Sequence, residues 1–195
     1  FDIGNVLANF GWEPYFRSFG FSQEVLDKLQ KATVSSAAWC EYDRGVMTDD
    51  EIERAFVKND PSIKKEIHFV TRSFSGMVTK MPETIPWLHD LKQKGYHLYY
   101  LSNFSRKAHV ECREALDFLP LMDGGILSYQ DKVIKPDTAI YELLLNRYRL
   151  KAEHCVFIDD TPKNLKTAEK LGIKTVLFQN RKQVLHDLEL LGIGI

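Results

Sequence analysis

Four groups of polar residues lie where predicted strands end. They are Asp2, the pair Ser102 and Asn103, Lys135 in the segment KVIKP, and the pair Asp159 and Asp160. The carboxyl ends of parallel strands meet at one edge of a sheet, which is where ligands bind in such sheets. Three carboxylates, a hydroxyl and an amine would therefore converge in one crevice.

This set of groups fits phosphoryl transfer through an aspartyl-phosphate. A carboxylate nucleophile splits the transfer into two steps. Its repulsion from the phosphate dianion is reduced by Mg²⁺, which carboxylate and carbonyl oxygens hold. A lysine and a hydroxyl can hold the remaining phosphate oxygens. A metal and an amine would also explain how Asp2 keeps a charge between Phe1 and Ile3, because a buried carboxylate needs a partner.

Each group also has a simpler explanation when it is taken alone. Asp2 could be a turn residue, and Ser102 with Asn103 could cap the following helix. Lys135 could be an ordinary loop lysine, and Asp159–Asp160 could start a helix before Pro162. The shared sheet edge, and an order along the chain that has a chemical interpretation, favour a site.

The elements that must position these groups alternate from Trp87 onward. Helical spacing is found in WLHDLKQKG, SRKAHVECREALDFL, PDTAIYELLLNRYRL, TPKNLKTAEKLG and RKQVLHDLELLG, and strand patterns in YHLYYLSN, GGILSYQ, HCVFIDD and KTVLFQN. Strands that alternate with helices predict an α/β fold with a doubly wound parallel sheet.

The region between Phe10 and Met81 has a different pattern. SQEVLDKLQKA, TDDEIERAFVKN and SIKKEIHFVTRSF have helical spacing, and no segment has a convincing strand pattern. Thr48 and Glu51 form the sequence signature of a capping box. We therefore expect a helical insertion over residues 10–81 in a core formed by residues 1–9 and 82–195.

Composition limits the partners and the compartment. The chain has 195 residues, 44% of them hydrophobic and 27% charged, and a formal net charge of -1. This balance gives no electrostatic reason to expect nucleic acid or a membrane surface as a partner. Three widely spaced cysteines indicate neither a disulfide framework nor a zinc site. No apolar run is long enough to span a bilayer. We expect a cytoplasmic monomer or weak homo-oligomer that acts on a small phosphorylated metabolite.

Four segments, in order, resemble the motifs of phosphatases of the haloacid dehalogenase superfamily. They are FDIGNVL, YYLSN, IKP and FIDDTPKNLKTAEKLG. Within that superfamily the chain is most similar to the helical-cap branch that contains bacterial glucose-1-phosphate phosphatases and the N-terminal phosphatase domain of soluble epoxide hydrolase. The segment EYDRGVMTDDEIERAF resembles the cap of that branch.

The resemblance implies a Mg²⁺ site. Asp2 would be both the nucleophile and a metal ligand, and Gly4 would offer its backbone carbonyl to the metal. Asp160 would be the direct carboxylate ligand from the fourth motif. Asp159 and Asn164 would belong to the same metal site and support it from outside the ligand shell or through water.

The resemblance also implies the phosphate contacts. Ser102 and the backbone of Asn103 would bind the phosphate. Lys135 would act in catalysis by neutralising both Asp2 and the bound phosphate.

Gly4 departs from the superfamily pattern. Most of these phosphatases have a second Asp there, which protonates the leaving group, and such help is typically worth about 10²–10⁴ in rate. Its absence favours leaving groups that need little protonation, such as those of sugar 1-phosphates, acyl phosphates and aryl phosphates. Asp43 or Glu41 from the insertion could substitute, although both also fit a solvated helix face. We expect the insertion aromatics Trp39, Tyr42 and Phe74 to form the core of the insertion rather than to stack on substrate.

The residues and the resemblance together predict Mg²⁺-dependent hydrolysis of a small phosphomonoester. Two alternatives stay open. One is metal-free haloacid dehalogenation, since haloacid dehalogenases also lack the second Asp. The other is a non-catalytic protein that binds a phosphorylated ligand.

Overall fold

The computed structural model describes residues 1–194, which form a central sheet with helices on both sides and a helical segment above one edge. The strands are β1 (Ala8–Phe10), β2 (Val78–Lys80), β3 (Tyr99–Ser102), β4 (Gly124–Leu127), β5 (Val156–Asp159) and β6 (Lys174–Leu177). The helices are α1 (Trp12–Arg17), α2 (Gln23–Ala32), α3 (Ala37–Asp43), α4 (Asp49–Asn59), α5 (Lys64–Arg72), α6 (Thr84–Gln93), α7 (Arg106–Glu111), α8 (Ser128–Asp131), α9 (Thr138–Arg147), α10 (Pro162–Lys170) and α11 (Arg181–Leu190).

The first two residues join two pairs of parallel strands. β3 pairs with β4 and β5 pairs with β6, both in parallel. Phe1 donates to the carbonyl of Tyr99 at 2.7 Å and accepts from the amide of Leu101 at 2.8 Å, which is a parallel pairing pattern. On the other side, the amide of Asp2 donates to the carbonyl of Ile158 at 2.9 Å. The strand order is therefore β4, β3, residues 1–2, β5, β6, with Asp2 near the centre.

Alternate residues of the strands pack on opposite faces of this sheet, as the period of two requires. One face carries Leu101, Ile126 and Phe157, which pack with Ile140, Tyr141, Leu165 and Ala168 of α9 and α10. The other face carries Leu127, Ile158 and Val176, which belong to one core cluster with Trp87, Leu88, Leu91, Val184 and Leu188 of α6 and α11. The predicted doubly wound α/β fold is confirmed.

Helices α1 to α5 form the helical segment between β1 and β2. The capping box at the start of α4 is confirmed. The Thr48 side chain accepts a hydrogen bond from the amide of Glu51, and the Glu51 side chain accepts one from the amide of Thr48. Trp39 stacks on Phe56 and Phe74 at centroid distances of 6.0 and 5.8 Å. Tyr42 meets the Phe74 ring edge-on. The aromatic residues named in the sequence analysis thus pack together within this segment.

Three expectations about secondary structure were wrong. Lys135 was expected at the end of a strand, but it lies in the loop between α8 and α9. Residues 10–81 were expected to contain no strand, but β2 lies there and pairs antiparallel with β1, with Ala8 opposite Lys80 and Phe10 opposite Val78. Strands of three residues are too short for the alternation of apolar and polar residues to be visible. The segment SRKAHVECREALDFL is also not one helix, since α7 ends at Glu111 and a 3₁₀ turn follows over Arg113–Leu116.

Among residues 1–194, no helix combines the length and the apolar character that crossing a membrane requires.

Candidate active site

Asp2 is a buried carboxylate at the centre of the sheet edge. Its Oδ1 accepts hydrogen bonds from the amide of Ile3 at 2.7 Å and from the hydroxyl of Ser102 at 2.7 Å. The Nζ of Lys135 lies 2.8 Å from the same oxygen. No hydrogen bond within residues 1–194 ends on Oδ2. One oxygen therefore carries the stabilising contacts, and the other is left free for a ligand.

Lys135 is buried between two carboxylates. Its Nζ lies 2.8 Å from Oδ1 of Asp2 and 2.7 Å from Oδ2 of Asp159. Burial by itself lowers the pKa of Lys135, but the charges of Asp2 and Asp159 outweigh it and raise that pKa above its ordinary value. The side chain is therefore an ammonium ion at the bottom of the site.

Asn103 positions the lysine instead of pointing its amide at a ligand. Its Nδ2 donates to the carbonyl of Lys135 at 3.0 Å, and its Oδ1 accepts from the amide of Lys135 at 2.8 Å. This reciprocal pair joins the end of β3 to the loop after α8. The predicted phosphate contact from the backbone of Asn103 stays a prediction.

Asp159 is fully buried and its oxygens are already occupied. Besides Lys135, it accepts from the amide of Thr161 at 2.7 Å and from Nδ2 of Asn164 at 3.1 Å. The amide of Thr161 immediately precedes α10, where the helix dipole also favours a negative charge. Burial nevertheless raises the pKa of Asp159 above its ordinary value, with Lys135 opposing that shift.

Asp160 is less buried and more available. Its Oδ1 accepts from the hydroxyl of Thr161 and its Oδ2 from Nδ2 of Asn5, both at 3.1 Å. Asn5 was not among the predicted site residues. Its backbone φ is 58°, in the left-handed region that Asn tolerates better than most residues, and its Oδ1 accepts from the amide of Phe10. The sequence signal was an Asn next to Gly4 in a turn.

The donor set fits a divalent cation such as Mg²⁺. Oxygen atoms of Asp2, Asp159 and Asp160 lie within 4.8 Å of one another. Three carboxylates against the ammonium of Lys135 leave two negative charges uncompensated. The Oδ1 of Asn164 is buried and has no donor within residues 1–194. An all-oxygen set with excess negative charge suits Mg²⁺. Because Asp159 is occupied by its own donors, oxygen atoms of Asp2 and Asp160 are more available to a cation.

A cavity of about 260 Å³ lies between these residues and the helical segment. Asp2, Lys135 and Asp160 line it from the sheet, and Trp39 and Asp43 line it from the helical segment. A space of this size fits a small ligand.

The two acids considered as substitutes for the missing Asp occupy different positions. Asp43 lines the cavity. Glu41 pairs with Arg44 at 3.3 Å instead, and its side chain is 45% exposed. Gly4 also lines the cavity, and a Cβ built there would meet only the Cβ of Phe10, at 3.7 Å.

Comparison with known proteins places the chain in a family. A sequence profile of the haloacid dehalogenase-like hydrolases matches residues 44–172. Bifunctional epoxide hydrolase 2 of Mus musculus is 38% identical over 180 residues, covering 87% of this chain and 31% of that protein. The sesquiterpene phosphatase astK of Aspergillus oryzae is 25% identical over 173 residues, covering 89% of this chain and 85% of that protein. The chain spans about a third of the length of two other curated relatives.

Solved structures have the same fold. The HAD family enzyme bt-2542 of Bacteroides thetaiotaomicron superposes with a TM-score of 0.70 at 22% identity, covering 96% of this chain and 95% of that one. That enzyme was also crystallised with magnesium and inorganic phosphate. A dehalogenase superposes with a TM-score of 0.66 at 18% identity, covering 92% of this chain and 83% of that one. The family match and the shared fold confirm the predicted superfamily and the prediction that the chain is an enzyme. The chain belongs to the haloacid dehalogenase-like hydrolases.

Proposed function

We propose that this hydrolase is a Mg²⁺-dependent phosphatase that hydrolyses a small phosphomonoester through an aspartyl-phosphate on Asp2. The observation that carries the proposal is the environment of Asp2. Three donors hold its Oδ1, while its Oδ2 has no hydrogen bond within residues 1–194 and an acidic cluster lies beside it. A carboxylate held in this way is oriented for attack.

The relatives give independent support. One of them is a sesquiterpene phosphatase, and a structural neighbour was crystallised with magnesium and phosphate. In the proposal, residues 1–9 and 82–195 form the catalytic core; Ile195 lies outside the described residues. Residues 10–81 form a cap that covers the cavity and excludes water during the first step.

Each side chain has a role in the proposed reaction. Asp2 forms a bond to phosphorus while the bond from phosphorus to the leaving oxygen breaks. The Ser102 hydroxyl, which donates to Asp2 in the structure, turns to a phosphate oxygen when phosphate binds. The backbone amide of Asn103 holds a phosphate oxygen, and Lys135 stabilises the charge on both Asp2 and the phosphoryl group. Mg²⁺, when it is bound, neutralises the repulsion between carboxylate and phosphate.

The cation would be held by Asp2, Asp160 and the carbonyl of Gly4. Asp159 and Asn164 support these ligands through the hydrogen bond between them and through the contact of Asp159 with Lys135. Outer partners of this kind orient metal ligands and tune their charge.

The substrate proposal is a small phosphorylated metabolite that fits the cavity. Sugar 1-phosphates, acyl phosphates and aryl phosphates form the first test panel, because their leaving oxygens depart as comparatively stable anions. A metal-free dehalogenase would not need the Asp159–Asp160 pair, which favours the phosphatase.

Hydrolysis of p-nitrophenyl phosphate, measured with Mg²⁺ and with EDTA, tests the proposal. The parent should release p-nitrophenol only with Mg²⁺, and Asp2→Asn should lose this activity. Asp50→Asn, a change of the same kind at an exposed position of α4, is the control and should stay active. Chloride release from 2-chloropropionate without metal would support the dehalogenase instead. Phosphate binding without turnover of any ester in the panel would support the non-catalytic alternative.

A further inference from the structure

The proposed reaction lacks a proton donor at the position where most related phosphatases have one. Gly4 offers only backbone to the cavity. Three aspartates line this cavity, namely Asp2, Asp43 and Asp160. Asp2 is the proposed nucleophile and Asp160 a proposed metal ligand, so Asp43 is the carboxyl group without an assigned role.

Asp43 is held in place although it belongs to the helical segment. Its carbonyl accepts from the hydroxyl of Ser128 at 2.5 Å, and the same hydroxyl accepts from the amide of Phe104 at 2.8 Å. The next residue, Arg44, pairs with Asp137 at 3.2 Å. These contacts join the end of α3 to the loop after β3, to the start of α8 and to the residue before α9, and so fix Asp43 relative to the core.

We propose that Asp43 is the general acid of this enzyme and replaces the Asp that is missing at Gly4. The proposal rests on the phosphatase function proposed above and adds a catalytic residue to it. Glu41 is excluded from this role because its carboxylate pairs with Arg44 and does not line the cavity.

The proton balance of the two steps is complete. In the first step the Asp43 carboxyl gives its proton to the leaving oxygen as the bond from phosphorus to that oxygen breaks. The products are an alcohol, the Asp43 carboxylate and the aspartyl-phosphate on Asp2. In the second step the Asp43 carboxylate takes a proton from water, whose oxygen attacks phosphorus. Phosphate leaves, and Asp2 and protonated Asp43 are restored.

The electrostatic environment of Asp43 agrees with this role. Burial raises the pKa of Asp43 to about 7, the Asp2 carboxylate acts in the same direction, and the indole of Trp39 opposes the shift. A general acid is most effective when its pKa lies near the working pH. The proposal itself is based on the position of Asp43 in the cavity and on the contacts that hold it there.

The experiment compares two esters that differ in the need for protonation. The aryl ester is p-nitrophenyl phosphate and the alkyl ester is 2-phenylethyl phosphate, and kcat/KM is measured with Mg²⁺ for the parent, Asp43→Asn and Glu41→Gln. We expect Asp43→Asn to lower the value for the alkyl ester by about 10²-fold or more and the value for the aryl ester by less than about 10-fold. Glu41→Gln should change neither.

The outcomes separate the two proposals. If the parent hydrolyses neither ester with Mg²⁺, the phosphatase function fails, and this inference fails with it. If the parent hydrolyses both and Asp43→Asn leaves the alkyl-to-aryl ratio unchanged, the inference is overturned while the phosphatase function stands. Thermal melting of the variant shows whether it is folded. Should it not fold, the same comparison with Asp43→Ser decides the inference by the same ratio.

Discussion

The partners of the buried Asp2 carboxylate come from the end of β3 and from the loop between α8 and α9. The hydroxyl of Ser102 and the ammonium of Lys135 contact the same oxygen, and the Nζ of Lys135 also contacts Asp159. Removing one partner of a buried ion pair lowers the stability of the protein strongly, because the remaining charge is then unpaired. The geometry of these few side chains therefore depends on all of them being present.

Restoring an acid at position 4 should rescue the Asp43 variant. The φ of Gly4 lies outside the left-handed region, and a Cβ there meets only the Cβ of Phe10 at 3.7 Å, so Gly4→Asp should fold. In the Asp43→Asn background it should raise kcat/KM for 2-phenylethyl phosphate by up to about 10²-fold, with a smaller gain for p-nitrophenyl phosphate. An alkyl-to-aryl ratio that does not rise in the folded double variant would show that position 4 cannot supply the proton.

Asp43 should also make stability depend on pH. Its folded pKa of about 7 lies above its ordinary value of 3.8, so the folded state holds a proton between these values that the unfolded state has lost. Stability should therefore fall as the pH rises through this window. Asp43→Asn cannot titrate, so its stability advantage over the parent should grow by up to about 4 kcal/mol from pH ~4 to pH ~8. Urea unfolding of both proteins in EDTA measures this difference, and a constant difference across that range would refute it.

The sequence predicted which residues converge at the sheet edge better than it predicted their individual contacts. Asp2, Ser102 and the Asp159–Asp160 pair lie at strand ends, which are visible as apolar runs that stop at polar residues. Lys135 lies instead in the loop between α8 and α9. The contact between the Asn103 side chain and the Lys135 backbone was not predictable. The two residues are far apart in the sequence, and the Asn103 side chain could equally have faced the ligand. Asp43 and Glu41 could not be told apart either, since two positions on one helix become distinct only when the helix is docked.

At the scale of elements, the end of α3 and α8 form a close contact between the helical segment and the core. Lys132 donates to the carbonyl of Gly45, and Ser128 donates to the carbonyl of Asp43. Gly45 has a φ of 75°, and a Cβ there would lie 2.5 Å from the carbonyl oxygen of Tyr129. Only glycine allows this approach.

Gly45→Ala should therefore displace the end of α3 and Asp43 with it. Gly20→Ala is the matched control, because Gly20 has a φ of 77° and nothing lies within 4 Å of a Cβ there. The control should lose about 1 kcal/mol of stability from the backbone conformation alone and keep its activity. Gly45→Ala should lose more stability and should lower kcat/KM for 2-phenylethyl phosphate by at least about 10-fold. Equal effects of the two substitutions on stability and activity would contradict the close approach of Gly45 to the carbonyl oxygen of Tyr129.

The elements were predictable where they are long or strongly patterned. The helices α2, α4, α9 and α10 and the strands β3 to β6 follow apolar periodicity and turn residues. The strand pair β1 and β2 was not predicted, because a strand of three residues is too short to show a periodic pattern. The two strands are also far apart in the sequence. The break after α7 at Cys112 likewise has no breaker residue to mark it.

At the scale of the whole molecule, the sheet edge concentrates negative charge in a chain that is nearly neutral. The formal net charge is -1, yet the acidic cluster against Lys135 leaves two negative charges in one crevice. This repulsion lowers the stability of the metal-free protein, and a cation that binds only the folded state should restore it.

Mg²⁺ should therefore raise the melting temperature of the parent. The stabilisation should approach about 2.7 kcal/mol when the Mg²⁺ concentration is about 100 times the dissociation constant. Asp160→Asn should melt higher than the parent in EDTA, because one repelling charge is gone, and should respond little to Mg²⁺. Asp50→Asn, at an exposed position of α4, should respond as the parent does. A shift of equal size in Asp160→Asn would show that the cation binds elsewhere.

The covalent bond between phosphorus and Asp2 distinguishes the proposed mechanism, and this bond can be trapped chemically. The protein is acid-quenched during turnover of p-nitrophenyl phosphate with Mg²⁺ and reduced with borohydride, which converts an aspartyl-phosphate to homoserine. Peptide mass spectrometry then identifies the modified residue. We expect homoserine in place of Asp2 in the presence of substrate and Mg²⁺, and none when either is left out. Steady release of p-nitrophenol with Asp2 unmodified, or with homoserine at another aspartate, would contradict it.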